Sequence, residues 1–278
     1  MSDQEAINDT KTIVCLHSSG GNGGQWRALK DYVGDRVNVL TPNLIGYGEE
    51  RFALGDSLSI EHEVRKIADL IRDNGGSVHL VGHSYGGAIA THVALEYPEL
   101  VASLTVYEPV LLSMLHDDDR ASPALEEVEH VAMSIIGQVD CKHGRWRAAR
   151  EFINFWSGGD AWRSMEDWQH ARFARLMPKV AAEFFALRHA GTSASSLAGL
   201  RMPVRIFCGD QTRASARRVA EIFAASAPGF SLHMLNSHSH MAPITHADVI
   251  NPLLVDHILA GPKTMRCADE EMRVFGHG

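Results

Sequence analysis

The stretch that decides the fold reads VGHSYGGA and runs from Val81 to Ala88. It follows an apolar run and opens a helical pattern, so it predicts a strand that turns abruptly into a helix. Small residues at Gly82 and Gly86 allow the two elements to approach closely. Ser84 then occupies a strained bend at the carboxyl end of the strand, where a helix N-terminus favours developing negative charge. We therefore expect Ser84 to be a nucleophile; the alternative is a serine that caps an ordinary turn.

Outward from this turn, short apolar runs alternate with amphipathic helical patterns. Most of the runs lack polar alternation, as expected of strands covered on both faces. The predicted strands are Thr12–His17, Val37–Asn43, Ser77–His83, Ser103–Pro109, Val204–Asp210 and Ser231–Ser237. The predicted helices between them are Gln25–Val33, Ser59–Asn74, Tyr85–Tyr97, Arg213–Ala225 and His246–Leu259. This order predicts an α/β fold with a mostly parallel sheet of about six strands and helices on both faces.

The interval from residue 111 to 200 breaks this alternation because it contains no convincing strand. Its helical patterns are Pro123–Val139, Arg145–Phe155, Glu166–Leu176 and Lys179–His189. We expect residues 1–110 and 201–278 to form the core domain and residues 111–200 to form an inserted helical cap. The interval holds four of the five tryptophans, which we interpret as packing residues, with a binding cleft as the alternative for one or two: Trp146, Trp156, Trp162 and Trp168.

Composition narrows the classes of partner and compartment. The chain has 278 residues and a formal net charge of −8, which argues against nucleic acid or an anionic membrane as the main partner. The N-terminal MSDQEAINDT is polar and acidic, unlike a signal peptide, and no apolar run approaches the roughly 20 residues that cross a bilayer. The four cysteines lack a CxxC pair and are predicted to be reduced: Cys15, Cys141, Cys208 and Cys267. These features predict a cytoplasmic protein.

The glycine-serine turn between a strand and a helix resembles the nucleophile elbow of the α/β-hydrolase superfamily. Three other segments carry the same resemblance. LHSSGGNGGQW (Leu16–Trp26) is similar to the loop after the third family strand, TPNLIGYGEE (Thr41–Glu50) to the segment after the next strand, and SHSHMAPITHADVI (Ser237–Ile250) to the segment with the catalytic histidine. The resemblance covers nearly the whole chain. It implies the α/β-hydrolase fold with a helical cap after the sixth family strand.

The chain departs from the family pattern at several positions. Ser18 follows His17 where the family usually has glycine, and Asn43 stands where aspartate is common. Ser239 precedes His240 where glycine is usual. Only about ten residues precede the first predicted strand, so the first two family strands are expected to be shortened or absent.

A serine hydroxyl requires a base, because it is a poor nucleophile by itself at neutral pH. His240 lies between the last predicted strand and the last predicted helix, in the segment that resembles the family's histidine loop. We expect His240 to be the base, and His238, two residues earlier, is the alternative. His83, inside the elbow, is interpreted as a packing or hydrogen-bonding residue.

The acid that orients the histidine has two candidates. The run VRIFCGDQTR (Val204–Arg213) predicts a strand followed by a turn, where family members usually have G-x-x-D. Counting from Gly209, that place holds Thr212, while Asp210 directly follows the glycine. Glu108 stands at the end of the preceding strand, and haloalkane dehalogenases of the same superfamily include members whose acid is a glutamate there. We expect Glu108 to be the acid, and Asp210 is the alternative.

A developing oxyanion needs backbone N–H donors. By the family pattern these belong to Tyr85, directly after the nucleophile, and to Ser19, two residues after His17. The glycines at 20, 21, 23 and 24 suggest a phosphate-binding loop, but the lysine of a P-loop and the spacing of a dinucleotide fingerprint are both missing. The sequence therefore implies no organic cofactor and no metal.

Together these features predict a serine hydrolase that cleaves an ester, thioester or similar acyl bond through an acyl-enzyme. The same triad also fits a carbon–carbon bond hydrolase, a haloperoxidase-like activity or a lyase, and a receptor that binds a small ligand without turnover is the alternative from another class. The apolar cap predicts a small-molecule substrate with an apolar acyl or aromatic group.

Overall fold

The computed structural model describes residues 11–118 and 122–260. Within them, six strands form one parallel sheet: β1 (Thr12–Leu16), β2 (Asn38–Leu40), β3 (Val78–His83), β4 (Val101–Tyr107), β5 (Val204–Gly209) and β6 (Ser231–Leu235). Their order across the sheet is β2–β1–β3–β4–β5–β6, and every neighbouring pair is parallel. The predicted α/β fold and all six predicted strands are confirmed, with every strand end within three residues of its predicted position.

The helices follow the alternation that the sequence predicts. Around the sheet lie α1 (Arg27–Val33), α2 (Ile60–Asp73), α3 (Tyr85–Glu96), α9 (Ala214–Ala225), α10 (Ala242–Thr245) and α11 (Ala247–Ala260). Between β4 and β5 the described residues form only helices and loops, and the α-helices are α4 (Ser113–His116), α5 (Ser122–Ile136), α6 (Lys142–Ser157), α7 (Asp167–Arg188) and α8 (Ala194–Leu197).

Strand β1 shows how both faces of the sheet are covered. Ile13 and Cys15 pack on the side of α1 and α11, whereas Val14 and Leu16 pack on the side of α2 and α3. All four side chains are fully buried, and Ile13, Val14 and Leu16 each contribute roughly 1.5–3 kcal/mol of transfer free energy. A run of apolar residues without polar alternation is therefore the sequence pattern of a strand between two layers of helices.

Helix α2 packs one face against the sheet and exposes the other. Ser59 caps its first turn by accepting a hydrogen bond from the His62 N–H. Its buried apolar residues recur at helical spacing: Ile60, Val64, Ile67, Ala68 and Ile71. Helix α3 behaves differently, because residues 85–94 are all buried. It is the central helix of its layer and carries the chain away from Ser84.

The two helices predicted at Glu166–Leu176 and Lys179–His189 are wrong, because one helix, α7, spans both. Pro178 lies inside it and removes one backbone N–H donor. The helix nevertheless continues, since apolar side chains on both sides of the proline are buried, among them Met177, Val180 and Phe184. Tertiary packing offsets the missing hydrogen bond.

Three further findings concern the sequence-based predictions. None of the helices in residues 11–118 and 122–260 combines the length and apolar character needed to span a bilayer. Cys15, Cys141 and Cys208 are free thiols. Cys267, the N-terminal ten residues and the tail after Pro262 lie outside the described residues.

Candidate active site

Ser84 lies at the bend between β3 and α3 with φ 57° and ψ −119°, a strained combination for a residue with a side chain. The backbone around it is held on both sides: the Ser84 N–H donates to the Tyr107 carbonyl at 3.0 Å, and the Val110 N–H donates to the Ser84 carbonyl at 3.2 Å. A Cβ on Gly82 would lie 2.6 Å from the Gly86 carbonyl oxygen. The glycines therefore allow the close approach that the bend requires.

His240 lies in the loop between β6 and α10, and its imidazole connects two other site residues. Its Nε2 lies 2.9 Å from Ser84 Oγ, and its Nδ1 lies 2.7 Å from Glu108 Oε2. Because a carboxylate only accepts, Nδ1 carries the proton and Nε2 is free to accept from the serine hydroxyl. The three residues thus form one continuous hydrogen-bonded chain.

Glu108 directly follows β4 with φ 44° and is completely buried. Its carboxylate accepts three hydrogen bonds. The Gly209 N–H donates to Oε1 at 2.8 Å, while the Thr212 hydroxyl at 2.6 Å and His240 Nδ1 share Oε2. These donors compensate for the loss of water around a buried carboxylate.

Asp210, the alternative acid, is exposed and turned toward the loop after β6. Its Oδ1 accepts a hydrogen bond from the Ser237 N–H at 2.7 Å. The structure therefore brings Glu108, and not Asp210, to the imidazole of His240. Thr212, at the position where the family often has an acid, contributes a hydroxyl donor to Glu108 instead.

The other histidines near the site are held in place by hydrogen bonds of their own. His238 Nδ1 donates to the Asn236 carbonyl at 2.6 Å and makes no hydrogen bond to Ser84. His83 is fully buried, and burial holds its pKa well below the usual value. As a neutral ring it accepts from the Gln25 amide at Nδ1 and donates from Nε2 to the His240 carbonyl at 2.8 Å. His83 thus fixes the backbone of the histidine loop, in line with its interpretation as a hydrogen-bonding residue.

The two predicted oxyanion donors flank the serine. Tyr85 is the first residue of α3, so its N–H has no partner within the helix. Ser19 lies in the loop after β1 and lines the same cavity as Ser84 and His240. That loop is shaped by His17, whose Nε2 accepts from the Leu44 N–H and whose Nδ1 donates to the Ser18 carbonyl. Burial lowers the pKa of His17 to about 4, so the ring is neutral.

The cavity above Ser84 has a volume of about 310 Å³. Helices α6 and α7 contribute its apolar wall through Phe152, Trp156 and Phe173. The Trp156 ring lies 4.2 Å from the His240 ring between centroids. Of the four tryptophans between residues 111 and 200, Trp156 lines the cleft and also packs in the core, where it is 7% exposed, so both interpretations apply to it.

The packing interpretation is confirmed for Trp146 and Trp162, whose rings contact each other with centroids 6.1 Å apart. Trp168 is 67% exposed, so it is neither a cleft residue nor a packed one.

The sequence matches the model of the alpha/beta hydrolase family from residue 13 to residue 253, which contains the whole hydrogen-bonded chain of Ser84, His240 and Glu108. The protein belongs to the alpha/beta hydrolase family. The architecture predicted from the elbow and the alternation of strands and helices is therefore that of its family.

Among curated proteins, this alpha/beta hydrolase is similar to Lipase LipV of Mycobacterium tuberculosis, with 31% identity over 100 residues that cover 36% of this chain and 37% of LipV. The match spans little more than a third of the length of that relative. A haloalkane dehalogenase of Bradyrhizobium diazoefficiens is 25% identical over 270 residues, which cover 89% of this chain and 86% of the dehalogenase.

Solved structures share the fold of this protein. A hydrolase from Pseudomonas aeruginosa PA01 superposes with a TM-score of 0.70 at 20% identity, covering 92% of this chain and 91% of that one. MGS-M2, an alpha/beta hydrolase from a Medee basin deep-sea metagenome library, superposes with a TM-score of 0.75 at 12% identity, covering 92% and 90%.

A buried cluster of charged residues, which the sequence pattern did not predict, lies beside the loop that carries Ser19. Lys179 of α7 is 1% exposed, and its Nζ lies 3.1 Å from Glu63 Oε1 and 3.2 Å from Glu183 Oε1. The Tyr85 hydroxyl donates to the same Oε1 of Glu63 at 3.2 Å, and the Tyr47 hydroxyl donates to Glu183 Oε1 at 2.7 Å.

This cluster reaches both segments that carry the predicted oxyanion donors. The Gly20 N–H, next to Ser19, donates to the Tyr47 hydroxyl at 2.9 Å, and Tyr85 belongs to the cluster through its side chain. Removing one member of a buried ion pair typically costs 3–5 kcal/mol, so such a cluster holds its geometry firmly. A signal was present in the sequence: Glu63 interrupts the apolar face of α2 between Ile60 and Val64.

Proposed function

We propose that this alpha/beta hydrolase is a serine hydrolase that cleaves a carboxylic ester, thioester or similar acyl bond of a small molecule. Ser84 is the nucleophile, His240 the general base and Glu108 the acid that orients it. The observation that carries the proposal is the continuous chain from Ser84 Oγ through both ring nitrogens of His240 to Glu108 Oε2, with distances of 2.9 and 2.7 Å.

In the first step Ser84 Oγ attacks the carbonyl carbon while His240 Nε2 takes the hydroxyl proton. Glu108 stabilises the resulting imidazolium through the Nδ1 hydrogen bond. The carbonyl oxygen gains negative charge, which the N–H groups of Tyr85 and Ser19 stabilise. The tetrahedral intermediate then collapses, and the leaving alcohol or thiol takes the proton from Nε2.

The second half repeats these steps with water in place of the alcohol. His240 Nε2 takes a proton from water, the hydroxide attacks the acyl carbon, and Ser84 Oγ leaves and recovers the proton. The products are a free acid and the free alcohol or thiol. Each step uses groups of this chain and water alone.

Several features support this assignment over a simple binding role. The positive φ of Ser84 and of Glu108 is strained, and such strain clusters at functional sites. The buried carboxylate of Glu108 is aimed at an imidazole rather than at a lysine or arginine. The elbow carries serine, in contrast to the aspartate at the elbow of dehalogenases, so the haloalkane dehalogenase among its relatives does not set the chemistry.

The test combines labelling and turnover. We expect a fluorophosphonate probe to label the native protein at Ser84 and to label neither Ser84→Ala nor heat-denatured protein. We also expect turnover of p-nitrophenyl acetate that Ser84→Ala abolishes. An unlabelled native protein, or turnover that persists in Ser84→Ala, would contradict the proposal. Labelling of Ser84 without turnover on any ester of an acyl-length panel would favour a receptor that kept the site.

A further inference from the structure

Two cavities meet at Ser84, and they differ in size and in chemistry. Both are lined by Ser19, Ser84, Phe152 and Trp156. The larger, of about 310 Å³, also contains His240. The smaller, of about 10 Å³, lacks His240 and ends on four other side chains: Val110, Glu183, Phe184 and Leu187.

The position of His240 indicates which cavity holds the leaving group of a substrate and which holds its acyl group. The leaving group must receive its proton from His240 Nε2, so it lies on the side where that atom is accessible. This is the larger cavity. The acyl group, on the opposite side of the scissile bond, is then directed toward the smaller cavity.

The size of the smaller cavity limits the acyl group. A volume of about 10 Å³ corresponds to about one water molecule, or one group of methyl size. Its apolar walls are firmly packed, since Phe184 and Leu187 are 4% and 3% exposed and belong to the hydrophobic core. A longer acyl chain would have to displace buried side chains.

The chemistry of the cavity is set by Glu183. Its side chain is 1% exposed, and its Oε1 is engaged by Tyr47 and Lys179. Its Oε2 is buried and has no hydrogen-bond partner in the described residues. Burial raises the pKa of this carboxyl, and Lys179, the neighbouring Ser19 hydroxyl and Tyr47 counteract part of that rise. A buried oxygen without a partner favours a ligand that offers a donor.

From the sizes of the two cavities and the buried oxygen of Glu183 that lacks a hydrogen-bond partner in the described residues, we propose that the smaller cavity is an acyl subsite that admits a single terminal heavy atom, the hydroxyl oxygen of a short acyl group such as glycolyl. The alcohol of the ester occupies the larger cavity. This inference rests on the proposed function, because it requires Ser84 to be the acylated residue.

The first test compares phenyl esters that differ only in the acyl group. Glycolyl and propionyl groups have nearly the same size, and only the former has a hydroxyl donor. After division by the uncatalysed hydrolysis rate of each ester, we expect kcat/KM to be at least tenfold higher for phenyl glycolate than for phenyl propionate. We expect phenyl hexanoate to be cleaved at least a hundredfold less efficiently than phenyl acetate. Equal or reversed preferences in either comparison overturn the proposal.

The second test uses two neighbouring phenylalanines of α7. Phe184 lines the cavity, whereas Phe185 is 57% exposed and faces away from it. We expect Phe184→Ala to raise the ratio of hexanoate to acetate kcat/KM at least tenfold, and Phe185→Ala to leave that ratio within twofold of the native value. If both variants give the same ratio, the cavity is not the acyl subsite.

Glu183→Met tests the hydroxyl preference separately, because it keeps the length of the side chain and removes the acceptor. We expect the glycolate-to-propionate ratio to fall to about one while the fluorophosphonate probe still labels Ser84. If the probe labels Glu183→Met and its glycolate-to-propionate ratio equals the native ratio, Glu183 does not set the hydroxyl preference. If Glu183→Met does not fold, the ester preferences of the native protein and of Phe184→Ala test the proposal instead. If turnover by the native protein does not require Ser84, both the proposed function and this inference are refuted. If turnover requires Ser84 but favours long acyl chains, only this inference is refuted.

Discussion

The hydroxyl of Thr212 lies 2.6 Å from Glu108 Oε2, the same oxygen that accepts from His240 Nδ1. The threonine occupies the position where related proteins often have an acid, and it serves the glutamate of the neighbouring strand. In the proposed serine hydrolase the acid stands at the end of β4 rather than after β5, and the residue after β5 supplies a hydrogen-bond donor to it. The geometry at the imidazole is preserved because β4 and β5 are adjacent and parallel.

The first prediction separates the two acid candidates. Glu108→Gln keeps the shape of the side chain but removes the negative charge that stabilises the imidazolium. We expect kcat for p-nitrophenyl acetate to fall by a factor on the order of 10³–10⁴. The matched variant, Asp210→Asn, changes an exposed carboxylate that contacts Ser237, and we expect its kcat to stay within about threefold of the native value. The reverse pattern would show that Asp210 is the acid.

The second prediction concerns Thr212→Val, which removes one donor from Glu108 while keeping the volume. Hydrogen bonds to charged groups contribute roughly 1.5–3 kcal/mol, and the carboxylate keeps its bonds to Gly209 and His240. We expect kcat to fall about tenfold or more. Thr245→Val, at an exposed threonine whose hydroxyl donates to the Met241 carbonyl, is the control. Equal kcat in the two variants would mean that Thr212 is not needed to hold the acid.

The third prediction concerns Tyr47→Phe, which removes the acceptor of the buried Gly20 N–H and one donor to Glu183. An unpaired buried N–H costs about 1–3 kcal/mol, so we expect the loop that carries Ser19 to shift. We expect kcat to fall about tenfold or more while KM changes little, since an oxyanion donor acts mainly in the transition state. A boronic acid inhibitor should lose affinity in parallel. Tyr32→Phe, which removes an exposed hydroxyl bonded to Asp256, should change neither quantity.

The fourth prediction concerns the packing of the elbow. A Cβ on Gly86 would lie 2.3 Å from the Leu16 carbonyl oxygen and 2.5 Å from that of His17. We expect Gly86→Ala to lower the free energy of unfolding by about 1–3 kcal/mol and to lower kcat, measured by urea denaturation and ester turnover. Gly229→Ala is the control, because nothing lies within 4 Å of its Cβ position. A native-like Gly86→Ala protein would mean that α3 can move away from β1 without loss.

The fifth prediction is a dependence of stability on pH. Burial lowers the pKa of His17 and His92 from 6.5 to about 4 and that of His257 to about 3. Between pH 6.5 and 4 the unfolded chain therefore binds more protons at these sites than the folded chain, and stability falls as the pH falls. Each histidine contributes about 1.4 kcal/mol per pH unit in this window.

Urea denaturation at pH 7, 6 and 5 measures the effect. His92→Gln keeps a partner for the Thr192 hydroxyl, which lies 3.0 Å from His92 Nε2, and should make the dependence shallower. A free energy of unfolding that is constant or rises between pH 7 and 5 would contradict the prediction.

The meeting of Ser84, His240 and Glu108 follows from features that are visible in the sequence. Each stands at or after the end of a predicted strand, and the carboxyl ends of parallel strands lie at one edge of a sheet. The choice of Glu108 over Asp210 needed the family resemblance, because both carboxylates follow a strand. Only the structure shows that the Asp210 carboxylate points to Ser237 instead.

Other features depend on contacts between distant residues and could not be predicted. Lys179 and Glu183 are spaced like an ordinary surface ion pair of a helix, and their burial depends on Glu63, 116 residues away from Lys179. Similarly, Pro178 normally ends a helix, and the sequence does not reveal that core packing carries α7 through it. Trp156 could not be distinguished from Trp146, Trp162 and Trp168, since all four lie in the same strand-free interval of the sequence.

The Lys179 cluster also limits how this protein can be rebuilt. Lys179 and Glu183 come from the segment between β4 and β5, whereas Glu63 and Tyr47 come from the segment before β3. A chimaera that receives residues 111–200 from a homologue would place unmatched charges in a dry interior. Exchange of this segment therefore requires that positions 47 and 63 of the recipient be changed with it. In a shuffling library, active members should be recovered only when residues 47, 63, 179 and 183 come from one parent.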